Sequence, residues 1–502
     1  MSRRPMSPGD AVWFHMDGPA NTAMITSILV TQAPLDFKQV QRVYEHRLAR
    51  FGRFSERVVE VGLPYATPHW ETMPGFAIGQ QLHHIALPAP GGDAALTSLV
   101  NDLASTPLNH ARPLWDVHVV DGVGTGSALI TRMHHCLGDG TANMLIAKTL
   151  FDAAPDTALE EAAGESADEP GDTGQVFAPM VQLARRSARR VEAAVSATLE
   201  AVTHPEETLS KAGFALAGAA MLGNELLRTD DPPSPLKGEF GLAKRVAWSA
   251  PVALADVKAI GAPLGAKIND VLVAGMTGAL RTYLQRRGID VRRTTVRAMV
   301  PVDLRPPENA SQLGNEFGVV LLDLAIGSRQ RLQRVLATKA NMDALKRSPE
   351  PIAALALFGL LGRLPKAVED IATRMFQSKA SVVMTNVAGP HEPLHLAGVP
   401  IERVMFWVPH PGKELGMGIS ILSYCGSATL TVIADAHLVP DPESITQEFN
   451  REFTAMLKAV RARAVPAAAK TAARRPAPHH AAARSANIVH APKRASSRRA
   501  AA

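Results

Sequence analysis

His134-His135-Cys136-Leu137-Gly138-Asp139-Gly140 sets two adjacent imidazoles ahead of an acid and two glycines, where a run of strand-forming residues stops. That run, Ser127 to His135, follows Trp115 to Val120 across the cluster Asp121-Gly122-Val123-Gly124-Thr125-Gly126, a strand–turn–strand pattern. The cluster does not make a phosphate loop, because the six-residue dinucleotide fingerprint and a following Gly-Lys-Ser/Thr are both missing. Thr141 to Asp152 then begins a helix, with Gly140 permitting close backbone approach. Side chains alternate along a strand, so His134 and His135 point to opposite faces and one of them meets a given cleft. A neutral imidazole, with an ordinary pKa of about 6.5, takes protons from alcohols or amines at neutral pH. Asp139 would either orient that ring directly or hold the loop by pairing with an arginine elsewhere, and the spacing leaves both open.

Two other uses of the motif are weaker. Adjacent histidines on a strand diverge, and neither HExxH nor a Cys/His spacing is present, so no metal is expected. Cys136 follows His135 in sequence but has no reason to lie against its ring, which argues against a thiol nucleophile. A second pair, His83-His84, has Pro88 where the first has Asp139 and reads as strand alone.

Composition sets the bounds. A chain of 502 residues with 46% apolar residues can bury a large core and suggests about three domain-sized units. The net charge of +6 is a property of the end of the chain: residues 466 to 502 hold eight Lys or Arg and no acid, leaving 45 basic against 47 acidic residues elsewhere. Two cysteines make no disulfide framework and the first residues carry no secretory apolar run, so a reducing cytoplasm is expected. The apolar runs at 214 to 222 and 352 to 362 are too short to span a bilayer, so any membrane contact is peripheral.

The chain reads as four segments. Residues 1 to 151 form an α/β lobe, with strands over Asn21 to Val30 and Ser127 to His135 and a helix over Phe37 to Arg53. Residues 152 to 234 begin with an acidic linker, eight acids and no base between Asp152 and Gln175, and continue into crossing helices. One of these carries Ala184, Ala188, Val191, Val195 and Leu199 on one face and Arg185, Arg186, Arg189 and Arg190 on another, a pattern that packs on the lobes or lies on an anionic membrane surface. Residues 235 to 465 form a second α/β lobe, with strands over Thr295 to Val300, Val319 to Leu324, Ser381 to Met384, Gly418 to Leu422 and Ala428 to Ala434 and a helix over Asp270 to Arg286. From Pro466 onward an Ala, Arg and Pro-rich tail is expected to be disordered; with no aromatics interleaved, nucleic acid is not its expected partner.

With the acid and glycine at fixed offsets, the motif resembles the HHxxxDG signature of the chloramphenicol acetyltransferase-like acyltransferases, and within them the bacterial wax ester synthase/acyl-CoA:diacylglycerol acyltransferase family. Ser7-Pro8-Gly9-Asp10 with Trp13-Phe14-His15, Arg112-Pro113-Leu114-Trp115, Asn269-Asp270-Val271-Leu272, Pro301-Val302-Asp303-Leu304-Arg305, Leu313-Gly314-Asn315 and Thr385-Asn386-Val387-Ala388-Gly389-Pro390 are similar to further family segments, in order, over about residues 6 to 460.

The resemblance implies two chloramphenicol acetyltransferase-like lobes with the active site in a channel between them. It implies His135 as general base, His134 supporting it and Asp139 as mainly structural. Acyl-CoA would be a substrate, with no cofactor, no metal and no covalent intermediate. The acceptor would be a diacylglycerol or a long-chain fatty alcohol, reached from a membrane or lipid-droplet surface. Asn386 or a neighbouring N–H is the candidate oxyanion donor, and Trp115 is expected to pack structurally. Asn269 and Asp270 either support the site or cap their helix, and Asp303 and Arg305 support the site, Arg305 being one candidate partner for Asp139. Two other classes share some of these features. A condensation domain of peptide synthesis has HHxxxDG but takes acyl groups from carrier proteins, and a lipid-surface binding protein that has lost catalysis would need only the basic helix.

Overall fold

Met24–Thr31, rich in β-branched residues, and Gly126–His134 are buried along almost their whole length, as central strands are. In a computed structural model of the chain they lie side by side at the middle of one of two mixed sheets. The structure describes residues 3–60, 67–155, 157, 229–303, 305, 313–346, 374, 377–409 and 414–472, with side chains as far as Arg463.

In chain order the first half contributes β1 (Arg3–Pro5), α1 (Pro8–Met16), β2 (Met24–Thr31), α2 (Phe37–Arg47), β3 (Glu56–Val59), β4 (His69–Thr72), β5 (Leu82–Ala86), α3 (Asp93–Ser105), β6 (Trp115–Val123), β7 (Gly126–His134) and α4 (Gly140–Leu150). The second half contributes β8 (Lys244–Trp248), β9 (Val252–Ala253), α5 (Leu254–Gly261), α6 (Ile268–Arg286), β10 (Arg297–Asp303), β11 (Phe317–Asp323), α7 (Arg331–Leu345), β12 (Val382–Ala388), β13 (His395–Leu396), β14 (Val399–Trp407), β15 (Met417–Tyr424), β16 (Ser427–Asp435) and α8 (Pro442–Ala472). The first sheet runs β13-β14-β2-β7-β6-β5, and the second β11-β10-β12-β15-β16-β8 with β9 beside β16. Both lie in one compact unit, Met1–Lys458; the chain from Ala459 forms another, of which the end of α8 is described.

Alternation along the strands divides the first lobe into two layers of core. Leu29, Val117, Val119, Leu129 and Met133 pack with Val40, Val43 and Tyr44 of α2 on one face. Ile28, Val30, Val120, Ala128 and Ile130 face Leu96, Val100 and Ala104, an every-fourth-residue stripe on α3. That second layer continues into Val246 and Ile433 of the other sheet through Met405 and Trp407. The lobes therefore share a core.

Three features differ from the reading of the sequence. β13 and β14 lie within the segment assigned to the C-terminal lobe, yet β14 pairs antiparallel with β2, from Ile401 opposite Thr31 to Trp407 opposite Thr26. Strand order is set by pairing partners, which sequence position does not fix. The helix read over Phe37 to Arg53 stops at Arg47 and continues as 3-10 turns at Leu48–Arg50 and Gly52–Ser55, because Phe51 is extended ahead of Gly52. α8 runs through Pro466 to Ala472, into the segment expected to be disordered; its Ala-rich end holds the strongest helix formers. The basic helix at 184–199, both short apolar runs, nearly all of the acidic linker and the chain beyond 472 fall outside the described residues. Among the described residues no helix is long and apolar enough to cross a membrane.

Candidate active site

Sheet pairing ends at the motif. The His134 N–H donates to the Leu114 carbonyl at 2.9 Å and the His135 N–H to the Ala23 carbonyl at 2.7 Å, after which the chain winds into a 3-10 turn, His135–Leu137. Asp139 is the N-cap of α4: its Oδ1 accepts from the Ala142 N–H at 3.0 Å, meeting one of the donors a helix start leaves over. Its Oδ2 accepts from Arg305 Nη2 at 2.8 Å and from the Glu316 N–H at 3.0 Å. The Gly314 carbonyl closes the arrangement, accepting from Arg305 Nη2 at 2.7 Å and from the Asp139 N–H at 3.2 Å. Gly314 has φ +137°, a conformation side chains disfavour. The second lobe is thus laced to the HHxxxDG turn through Asp139, and no hydrogen bond joins Asp139 to the His135 ring.

The two imidazoles diverge. His134 Nδ1 accepts from the Cys136 N–H at 3.1 Å, and its Nε2 lies 3.8 Å from Asp17 Oδ1. Asp17 in turn binds His110 Nε2 at 2.8 Å and accepts from the Ala23 N–H at 3.0 Å. His134 is thereby occupied with the backbone around the turn. His135 faces the other way, stacked on Trp13 at 3.8 Å between ring centroids and 13° between planes, with Phe317 at 5.9 Å. Its Nδ1 is 2.9 Å from Asn315 Oδ1. With Nδ1 engaged, Nε2 is the nitrogen left for chemistry. Burial lowers the pKa of both rings to about 4; at His135 the Asp139 carboxylate opposes that shift. Both are therefore neutral at pH 7. Burial also pushes the Cys136 thiol well above its ordinary range, which leaves it protonated and a poor nucleophile.

The other candidates fall into separate groups. Trp115 is 1% exposed and donates from Nε1 to the Phe54 carbonyl at 2.9 Å, packed edge-on against Phe54. Asp270 accepts at Oδ2 from the Lys267 N–H at 2.9 Å, so it caps the start of α6. Asn269 does not cap; its Oδ1 accepts from Asn386 Nδ2, joining α6 to β12, and neither residue has a hydrogen bond to the His135 cluster. Asp303 accepts from Thr141 Oγ1 at 2.8 Å and from the Arg305 N–H at 2.9 Å, a second tie between α4 and the other lobe. Gly140 is the first residue of α4, and among the described residues nothing beyond its own helix and chain neighbours comes within 4 Å of a Cβ added there.

Asp10, Trp13, Arg53, Asn315 and Phe317 surround the turn without having been singled out for it. Asp10, Trp13 and Asn315 lie inside segments quoted for the resemblance, but a contact across so many intervening residues leaves no local spacing to find. Burial raises the Asp10 carboxyl above its ordinary range, against the lowering effect of Arg53 Nη2 at 3.0 Å. Among the described residues, one group has metal-ligand chemistry: His83, Asp116 and His118, whose ligand atoms lie within 4.8 Å of one another. It sits on β5 and β6, and both Asp116 oxygens already accept from the Arg132 guanidinium.

The model of the wax ester synthase/diacylglycerol acyltransferase catalytic domain matches residues 6–272, and that of the family's C-terminal domain matches 313–457. A probable diacylglycerol O-acyltransferase of Mycobacterium tuberculosis is 29% identical over 402 residues, covering 79% of this chain and 82% of its own. The wax ester synthase/diacylglycerol acyltransferase from Marinobacter aquaeolei VT8 superposes with a TM-score of 0.63 at 20% identity, covering 91% of this chain and 99% of its own. The first condensation domain of the calcium-dependent antibiotic synthetase, solved with a substrate analogue, has the same fold, with a TM-score of 0.59 at 19% identity over 91% and 95% of the two chains.

Proposed function

The chain belongs to the wax ester synthase/diacylglycerol acyltransferase family and is an acyltransferase, and from that premise we propose that it moves a long-chain acyl group from acyl-CoA to the hydroxyl of a diacylglycerol or a fatty alcohol, with His135 as general base. The observation that carries the assignment is the state of the ring: buried, neutral, stacked on Trp13, with Nδ1 engaged and Nε2 left over.

In this reaction Nε2 takes the proton of the acceptor hydroxyl as its oxygen attacks the thioester carbonyl carbon. The tetrahedral oxyanion then collapses, the carbon–sulfur bond breaks, and the proton on Nε2 passes to the leaving sulfur, releasing CoA as its thiol and restoring the neutral ring. No acyl-enzyme forms, and acyl-CoA is a substrate rather than a cofactor. General-base assistance is worth about 10²–10⁴-fold. A fixed donor to the oxyanion adds about 3 kcal/mol in comparable acyl transfers; the Asn386–Asn269 pair is our candidate, since one N–H of Asn386 and the amide of Asn269 remain available. The reaction would lie in a channel between the lobes, where the Gly314–Phe317 segment meets the turn. Contact with a membrane or lipid droplet, where such acceptors reside, would be peripheral.

The test is release of free thiol from palmitoyl-CoA by the purified protein, with hexadecanol and dioleoylglycerol offered separately. Turnover with either acceptor, abolished in His135→Ala, is expected. Equal turnover in wild type and His135→Ala would refute the base assignment.

A further inference from the structure

We infer that Asn315, held by Asp10, fixes which nitrogen of His135 carries the proton. The inference rests on His135 being the base. A side-chain amide has a donating and an accepting end, and here the surroundings distinguish them. Asn315 Nδ2 lies 2.8 Å from Asp10 Oδ1 and 2.9 Å from the His135 carbonyl oxygen. Both are acceptors, so the NH₂ end belongs there and a flipped amide would set oxygen against oxygen. Oδ1 must then face the ring, 2.9 Å from Nδ1. An amide oxygen only accepts, so Nδ1 carries the hydrogen and the lone pair is on Nε2.

Each support of this amide is itself anchored. Arg53 Nη2 pairs with Asp10 at 3.0 Å while its Nη1 donates to the Leu137 carbonyl at 3.1 Å, in the same turn as His135. α1 lies so close to Asn315 that a Cβ on Gly9 would stand 2.9 Å from the Asn315 carbonyl oxygen, and the same helix carries Trp13 against the ring. Three segments distant in sequence therefore converge on one imidazole: α1 sets its plane and orients the amide, the 3-10 turn sets its position, and Asn315 sets its proton. Asn315 touches neither reacting atom; it is a positioning residue. The His135 carbonyl oxygen also accepts from the ring, so loss of the Asn315 oxygen removes one of two acceptors that favour Nδ1–H and raises the share of the Nε2–H form, which cannot accept the acceptor's proton.

A residue that only joined the lobes would affect stability, whereas Asn315 should affect the tautomer. The full chain is compared with Asn315→Ala and with the exchange Asp10→Asn/Asn315→Asp, which keeps net charge, returns an acceptor to Nδ1 and gives position 10 a donor, while the donor to the His135 carbonyl is lost. Turnover is measured with palmitoyl-CoA and hexadecanol, and ¹⁵N-histidine spectra report the tautomer, the His135 signals being those lost in His135→Gln. For Asn315→Ala the expected result is a kcat at least about tenfold lower, within the roughly 10²–10⁴-fold that a general base supplies, with KM within about threefold. Its His135 signals should move from the Nδ1–H to the Nε2–H pattern. The exchange should recover the Nδ1–H pattern and at least about half of the lost log kcat. A kcat for Asn315→Ala within about twofold of wild type, or an unchanged Nδ1–H pattern, overturns the inference. If Asn315→Ala does not fold, the exchange decides alone, and an Nε2–H pattern there is equally fatal. A wild-type protein without turnover overturns the acyl-transfer reading instead, and a fully active His135→Ala overturns the base assignment; either leaves the tautomer result standing.

Discussion

Of the three His-His dipeptides in the chain, two meet strands of one sheet, and those two live in different worlds. His83 and His84 lie on the edge strand β5, exposed, His84 stacked on Phe37 and 2.8 Å from Asp121, His83 against the ring of His118. Every one of those partners belongs to the first lobe. His134 and His135 end the interior strand β7 at 2% and 8% exposure, and the contacts that define His135 come from α1 and from the Gly314–Phe317 segment of the other lobe. Residue type supplies an imidazole; a second body closing over it supplies the burial and the fixed ring that catalysis needs.

The comparison breaks first at His135. His135→Ala should cost turnover about 10²-fold or more, His134→Ala clearly less, and His83→Ala or His84→Ala under about twofold, all read as initial rates of thiol release. Loss on the edge strand as large as at His135 would erase the distinction. Next comes the clamp from the other lobe: Arg305→Ala leaves Asp139 buried and uncompensated, which should cost about 3–5 kcal/mol of stability in denaturant titration. A change below about 1 kcal/mol would mean that Asp139 finds another partner or takes up a proton.

Burial fixes the acid behaviour of His134 and His135. A general base must be neutral, so with His135 at about 4 the kcat/KM profile should be flat from neutral pH down to about pH 5 and fall by half near 4. A limb near 6.5 would show that the ring is solvated. The same shifts act on folding: the unfolded chain binds protons at His134 and His135 near 6.5 and the folded chain only near 4. Stability contributed by neutral burial is therefore complete above 6.5 and lost as pH falls toward 4, visible as a falling Tm. The smallest effect is expected on the edge strand, where Asp121→Asn should change stability by about 0–1 kcal/mol, as exposed pairs do.

The local parts of the site were legible in the sequence because their logic is local. The strand before His134, the turn, and the helix beginning beside Gly140 follow from strand-forming residues and glycine, while the cap that Asp139 supplies was not read from the sequence. Arg305 could be named beforehand as one candidate partner for Asp139 because it lies in a segment quoted for the family resemblance and a loop carboxylate can pair with an arginine. Asn315 and Asp10 could not be given roles, since an amide shows no charge pattern and its partners lie at the far end of the chain. Gly140 was read as permitting a close backbone approach, which none of the described residues outside its own helix makes. β14 escaped notice as well: Val399–Trp407 carries Pro400, Glu402 and Arg403 among its apolar residues and so lacks clean alternation, and only its place between β13 and β2 makes it a strand of the first sheet.

That late strand bears on how the protein comes into being. During synthesis, β2 emerges early, yet the neighbour that covers one of its edges is still untranslated until Trp407 has been made. Until then the nascent first lobe presents an unpaired, apolar strand edge to the crowded cell, the kind of template that recruits other chains. Ribosome pausing ahead of β14 should lengthen that hazardous interval. A fragment ending near residue 234 should accumulate in inclusion bodies, whereas supplying β13–β16 in trans would be a route to rescue.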